Sequence, residues 1–436
     1  MAFGRKQQGI PGLYGGDARG LYGSRSYGQR GTMIYGKQPT PRWPIFILAI
    51  LIILVIVLCV RQFACGGIFP ASQEETQQQE QQATEQQAEE STDTEQTTEP
   101  AAIAAKPTAS GTISITAVGD CTLGIDEDFD FDTNFTNVYS ANNASYFFQR
   151  VTKFTEYDDI TIANLEGALT DDAEAEDKGE GSYNFKGPKS YAKILTEGDV
   201  ETVNLANNHS YDYGDEGYQD TKDALDKQGI GYFNADLTWT TEVNGLRVGF
   251  LGINATAGYD SATETMEDSV KSLQDAGCNL IIGVFHWGTE GNYDVDDEQV
   301  ELGHAAIDAG VDLVLGGHPH LLQGVEKYND RYIVYSLGNF VFGGNDDPMD
   351  YSTMIYQQTF EFENGELVVS NSLSSAQIIP CRVSTVTTVN NYQPIPLGGG
   401  DGEEIVKKVN KLSKALAGEG VTFSTKLDDD DIAVVK

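Results

Sequence analysis

Five times along this chain a short run of aliphatic and β-branched residues halts at a side chain able to hold a metal. Residues 112–118 lead to Asp120, 160–164 to Glu166, and 200–205 to Asn208 and His209. Residues 280–285 lead to His286, and 311–315 lead through Gly316-Gly317 to His318 and His320. Apolar runs of this length, bounded by glycine and polar turns, read as buried strands. Between them lie stretches with helical spacing at 191–195, 218–227, 270–276 and 299–308, and 146–154 shows the same spacing. The alternation of strands and helices predicts an α/β fold. Asn244-Gly245, set between two β-patterned runs, predicts a hairpin.

In α/β proteins ligands and catalytic groups collect at the C-terminal ends of strands. Four of the five histidines fall at such ends, and only His304 lies in mid-helix, where it reads as a packing or surface residue. His318 and His320 flank Pro319, whose fixed backbone lets both rings be aimed at one site with little ordering cost. Imidazole, carboxylate and carboxamide together suit Zn, Mn or Fe rather than calcium. Two ions about 4 Å apart need a bridging carboxylate, and Glu166 is the central candidate. Each residue alone has a plainer explanation. Asp120 after Gly119 suits a turn, Asn207-Asn208 suits a helix N-cap, and Trp287 suits a core. The recurrence at five strand ends is what favours a site.

The net charge of −38 is unevenly spread. Residues 1–43 carry seven Lys/Arg against the single acid Asp17, so everything beyond is strongly acidic and unsuited to nucleic acid. Residues 45–60 hold no charged side chain. With Trp43 and Pro44 before them and Arg61 after, they predict one transmembrane helix at 44–64. The positive-inside rule then places the N-terminus in the cytoplasm and the C-terminal domain outside, anchored to the cell membrane. Residues 1–43, rich in Gly, Tyr and Arg, have too few aliphatics for a core. Residues 65–110, dominated by Gln, Glu and Thr, read as a self-repelling linker. Five cysteines without a CxxC pair indicate isolated thiols, although an exported domain could oxidise Cys278 with Cys381.

The motifs AVGDCTLG, NLEGALT, LANNHSYDYG, FHWGTE, GGHPHLLQG and YSLGNFVFG occur in that order between Ala117 and Gly343. In this the chain resembles the CapA-type proteins of bacterial poly-γ-glutamate capsule synthesis. The resemblance implies a calcineurin-like metallophosphatase fold over 111–425, a four-layer sandwich of two facing β-sheets flanked by helices, with an acidic tail at 426–436. It implies Asp120 as the first metal ligand and Glu166 as the bridging carboxylate. Asn208, His286 and His318 would complete one metal, His320 would serve the other, and His209 would protonate a leaving group. Metallophosphatases generally carry Asp-x-His in the first motif, whereas this chain has Asp120-Cys121-Thr122. One ion is therefore the firm expectation, and a second would be weak unless another donor, such as Cys121, replaced the histidine.

Three functions compete on these grounds. The resemblance implies a component for assembly or export of an anionic capsule polymer, working with membrane polymer-synthesis proteins. The alternatives are a metal-dependent extracytoplasmic phosphoesterase with His209 as general acid, and a polymer-binding scaffold whose site is vestigial.

Overall fold

A computed structural model describes residues 104–179 and 181–436. The expected membrane span at 44–64, the basic segment before it and the linker as far as residue 103 lie outside the described residues. Among the described residues no helix is long and apolar enough to cross a membrane.

The alternation of strands and helices resolves into two large sheets. In chain order the first receives β1 (Gly111–Thr122), β2 (Ile160–Leu165), β3 (Thr202–Asn204) and β4 (Gly231–Phe233). The second is built from β5 (Trp239–Val243), β6 (Leu246–Asn254), β7 (Leu280–His286), β8 (Leu313–Gly317), β9 (Val325–Tyr328) and β10 (Arg331–Val334). The chain then returns to the first sheet with β11 (Asn339–Phe342), β12 (Ser352–Glu363), β13 (Gln377–Arg382) and β14 (Ala433–Val434). The path through the first sheet is β13-β12-β1-β2-β3-β4, with β11 beside the end of β1 and β14 on the edge of β13. The second runs β9-β10-β8-β7-β6-β5. β1, β2, β3 and β4 are mutually parallel, as are β6, β7 and β8, so both sheets direct several strand C-termini the same way along their length.

Strand alternation decides what each sheet face meets. Ile113, Ile115 and Ala117 of β1 face Phe250, Ile282 and Leu313 of the second sheet in one continuous core. The outer face of the first sheet packs on α1 (Phe135–Asn142), α2 (Ala192–Glu197) and α3 (Gly214–Gln228). The outer face of the second packs on α4 (Tyr259–Asp275) and α5 (Asp297–Ala309) through Met266, Val270, Leu302 and Ala306. Ile405, Val406 and Val409 of the later helix Gly399–Ala415 join the core between the sheets.

The structure differs from the sequence reading in five places. β1 does not stop before Gly119-Asp120 but continues to Thr122, exchanging its pairing with β12 for a parallel pairing with β11. A Cβ on Gly119 would stand 1.9 Å from the Gly338 carbonyl oxygen, so only glycine permits that exchange. β8 likewise runs through Gly316-Gly317. The helix expected at 146–154 is reduced to turns and the short segment Thr152–Thr155. Its aromatic residues are held by tertiary contacts instead, with Phe147 stacked on Phe135 at 4.5 Å. Residues 426–436 are not a free tail, since β14 pairs with β13 and Ala433 is fully buried. Residues 104–110 are also seated on the fold, through Ala104 N–H to the Asp275 carbonyl and Asn279 to the Pro107 carbonyl.

Glu201, just before β3, accepts a 2.7 Å hydrogen bond from the Thr161 N–H. Burial pushes its carboxyl up to about 7, against an ordinary 4.5; the Thr161 bond opposes this and repulsion from Asp158 and Asp199 adds to it. A raised carboxyl favours the protonated fold, so the penalty is absent below pH 4.5 and complete above pH 7. Glu201→Gln is therefore expected to stabilise the protein at pH 8 by about 1 kcal/mol after allowance for solvent screening. At pH 4.5 it should be nearly neutral. Thermal unfolding at the two pH values checks this, and an equal effect at both would refute the assignment.

Candidate metal centre

The five strand ends converge. Asp120 lies near the end of β1, Glu166 directly follows β2, and Asn208 and His209 occupy the turn after β3. From the second sheet, His286 closes β7, and His318 and His320 follow β8. Both of the latter histidines take positive φ, 92° and 57°, a conformation that costs energy in a residue with a Cβ. The Asp120 carboxylate holds this turn by accepting the His318 N–H at 3.1 Å. Gly317 leaves room for that carboxylate, since a Cβ there would lie 2.4 Å from Asp120 Oδ1.

Glu166 is the centre of the cluster. Its side chain is fully buried, with His286 Nε2 at 3.5 Å, His320 Nε2 at 3.8 Å and His209 Nε2 at 4.0 Å from Oε1. Neither of its oxygens has a hydrogen-bond partner among the described residues, and the same is true of His318 Nδ1. A buried carboxylate without partners is costly unless a proton or a cation neutralises it. Donor atoms of Glu166, His318 and His320 all lie within 4.8 Å of one another, a grouping that can hold a metal ion. The donor set therefore fits a divalent cation.

Electrostatics of the cluster agree with this fit. Burial pushes the Glu166 carboxyl up to about 7, with His320 opposing the rise and Asp120 adding to it. Burial pushes His286 and His318 down to about 3, so both rings are neutral. Burial also opposes charge on His320, but Glu166 and Asp120 outweigh it and raise the ring to about 10. Asp120 is held below its ordinary range because contacts with His320 overcome its own burial.

A ring of carboxamides fixes these groups. Asn164 Nδ2 donates to Asp120 Oδ1 at 2.8 Å and faces His286 Nδ1 at 3.2 Å. Its Oδ1 accepts from Asn204 and Asn207, at 2.9 and 3.2 Å, which prevents the amide from turning over. In this arrangement His286 Nδ1 is an acceptor, so its Nε2 carries the proton and donates to Asn208 Oδ1 at 2.7 Å. His320 is fixed the other way, with Nδ1 on Asn339 Oδ1 at 2.9 Å and Nε2 turned to Glu166. The Glu166–His318–His320 grouping thus cuts across the two ligand sets implied by the first reading, and Asn208 with His286 forms a hydrogen-bonded pair beside it.

His209 is 8% exposed and directs Nδ1 to Asp212 Oδ2 at 2.7 Å. Asp212 is fully buried and also accepts from the Phe185 N–H and from Lys178 Nζ. Its acceptor role fixes the proton on His209 Nδ1 and leaves Nε2 facing the cluster. Cys121 is not an available donor: it packs into the helix-side core, and burial pushes its thiol up to about 12. Thr122 Oγ1 is buried without a hydrogen-bond partner among the described residues. Cys121, Cys278 and Cys381 are all free. His304 lies on α5, where Nε2 bonds both Glu326 oxygens at 3.1 Å.

Sequence reasoning missed Asn164, Asn204, Asn339 and Asp212. A signal for the first two existed: each is a carboxamide with an apolar neighbour on either side, Ala163 and Leu165 or Val203 and Leu205.

The family described as "Bacterial capsule synthesis protein PGA_cap" matches residues 114–344, more than half of the chain. The PGA biosynthesis protein CapA of Bacillus subtilis is 30% identical over 249 residues, covering 53% of this chain and 63% of that protein. The capsule biosynthesis protein CapA of Bacillus anthracis is 28% identical over 253 residues, covering 53% and 60%. A probable polyglutamine synthesis accessory protein of Mycobacterium tuberculosis is 27% identical over 260 residues, covering 52% and 66%. The chain thus spans less than two thirds of each of these relatives. Its match runs from β1 to just past β11 and takes in Asp120, Glu166, Asn208, His209, His286, His318 and His320, and on that extent the chain belongs to the PGA_cap family of bacterial capsule synthesis proteins.

Proposed function

We propose that this protein acts in the assembly or export of an anionic γ-glutamyl capsule polymer, through a metal centre of metallophosphatase type. The observation that carries the reading is the fully buried Glu166 carboxylate, without a hydrogen-bond partner among the described residues and surrounded by imidazoles from both sheets. Family membership supports the polymer, and the names of the relatives from Bacillus and Mycobacterium point the same way. Glu166, His318 and His320 would hold the ion, with Asp120 positioning the turn that carries both histidines. A bound Zn, Mn or Fe would supply Lewis acidity and offset the repulsion between an acidic protein and a polyanion. The basic N-terminal segment and the apolar run at 45–60 support a cell-membrane anchor with the domain outside. Membrane polymer-synthesis proteins are the partners that such a placement offers.

A second reading, a metal-dependent phosphoesterase, is favoured by the Asp212–His209 pair. Asp212 orients a ring whose Nε2 faces the cluster, an arrangement suited to moving a proton to a leaving group.

The test is metal analysis of the purified full chain, followed by hydrolysis assays on phosphoesters and on γ-glutamyl peptides. A bound transition metal with binding or cleavage of γ-glutamyl chains is the expected result. Metal-dependent turnover of phosphoesters alone would favour the second reading. A protein that takes up no transition metal would exclude both.

A further inference from the structure

The FHWGTE motif is only half used by the metal-type cluster. His286 belongs to it, while Gly288, Thr289, Glu290 and Gly291 form the turn that follows. Three backbone hydrogen bonds hold this turn in place. Trp287 N–H donates to the Gly317 carbonyl at 3.2 Å, Gly288 N–H to the Tyr259 hydroxyl at 2.9 Å, and Gly291 N–H to the Pro319 carbonyl at 3.0 Å. The turn is thereby fastened to the segment that carries His318 and His320. Gly288 and Gly291 take φ of 80° and 71°, which lets the backbone bend on both sides of Glu290 without strain.

Glu290 itself is exposed, and its carboxylate has no hydrogen bond or ion pair among the described residues. An exposed glutamate in an acidic chain is ordinary, but the position of this one is not. Burial dominates the ionisation of His286, His318, His320 and Glu166, yet Glu290 acts on all four. Its charge favours the protonated rings and opposes the Glu166 carboxylate, so it stands within electrostatic reach of the cluster.

Solvent meets the cluster at His320 and His209, whose side chains are 21% and 11% exposed, whereas Glu166 and His286 are sealed. Phe342 packs on His320 at 4.9 Å and Phe185 on His209 at 4.6 Å. Apolar walls of this kind strengthen charge interactions beside them. Lys178 and Lys186, on the segment that carries Phe185, are already paired with Asp212 and Glu127. Glu290 therefore leaves an unpaired negative charge beside the opening.

That charge discriminates between parts of a γ-glutamyl chain. Every residue of such a chain keeps its α-carboxylate, and a single ammonium stands at the amino end. A carboxylate beside the opening repels the first and attracts the second.

We propose that Glu290 receives the ammonium group at the amino end of a γ-glutamyl chain, so that the site engages the polymer by that end and not by its interior. This assignment rests on the γ-glutamyl reading of the site given above.

The test is calorimetric titration of the purified full chain with a γ-glutamyl tetramer and with its N-acetylated form, at about pH 6.5, where an α-amino group is charged. The free-amine tetramer is expected to bind about fivefold more tightly or better. Glu290→Gln should remove that preference by weakening the free-amine tetramer alone, and should keep the wild-type metal content. The proposal is overturned, with the γ-glutamyl reading intact, if the wild type binds both tetramers equally. It is equally overturned if Glu290→Gln weakens both alike or retains the preference. Loss of metal in the variant overturns it too, because Glu290 would then be a ligand of the ion. If neither tetramer binds the wild type, the γ-glutamyl reading itself fails and the role of Glu290 with it.

Discussion

Glu166→Ala is expected to abolish tight metal binding and, in the metal-free protein, to raise stability rather than lower it. Both effects come from one fact, that the two oxygens of a fully buried carboxylate find no hydrogen-bond donor among the described residues. With an ion present they are ligands, and removing them takes away a bond from the group formed with His318 and His320. Affinity should fall by about a hundredfold or more, since outer-shell changes alone typically cost about 10–100-fold. Without the ion the same carboxylate has no hydrogen-bond donor among the described residues and is offset only by the His320 ring at 3.8 Å, so its removal relieves desolvation. His318→Ala should lose metal to a similar degree, while His304→Ala, on α5 and paired with Glu326, should retain it. Metal content after exhaustive dialysis and melting curves with and without ion give both readouts. Stoichiometric metal in the Glu166 variant would sink the assignment.

Asp212→Ala is expected to be the most destabilising single change near the cluster, costing about 3–5 kcal/mol, as breaking a buried charge pair does elsewhere. Asp212 binds three groups at once: Lys178 Nζ, His209 Nδ1 and the Phe185 N–H. Alanine would strand the Phe185 donor in the core and free the His209 ring to change tautomer. Lys178→Ala should cost far less, because the ammonium is partly exposed and water can replace its partner. Urea unfolding measures both variants. Equal losses would mean that the pair acts as an ordinary surface ion pair and that Asp212 does not hold the turn.

The strand ends were legible because each combines a short apolar run with a chemically distinct residue, and that conjunction survives without knowledge of partners. Asp120, Glu166, Asn208, His209, His286, His318 and His320 do meet, although they are spread over 200 residues of chain (120 to 320). What stayed illegible depends on contacts that no local pattern encodes. The extension of β1 through Asp120 rests on a neighbour, Gly338, more than two hundred positions away. The aromatic series at 146–154 keeps helical spacing, with Gln149, Arg150 and Lys153 exposed, yet turns form there, and distant contacts such as Phe147 on Phe135 hold the rings. The hairpin of β9 and β10 carries Glu326, Lys327, Asn329, Asp330 and Arg331, which dilute its β pattern. Asp212 looked like one of many acids in an acidic chain, and only its burial sets it apart.

The pairing of β1 with β11 has a consequence for biosynthesis. Asp120 is synthesised early, but Asn339, which both pairs with it and steadies His320, emerges more than two hundred residues later. Closing so many long loops through parallel strands makes for slow folding of high contact order. No nascent fragment ending before β11 can present the complete cluster, so an ion at the proposed centre would be acquired only after Asn339 has emerged. Loading is then governed by the compartment in which folding ends. The ion most abundant there at that moment, rather than the one most tightly preferred, is the one the proposed centre would first meet.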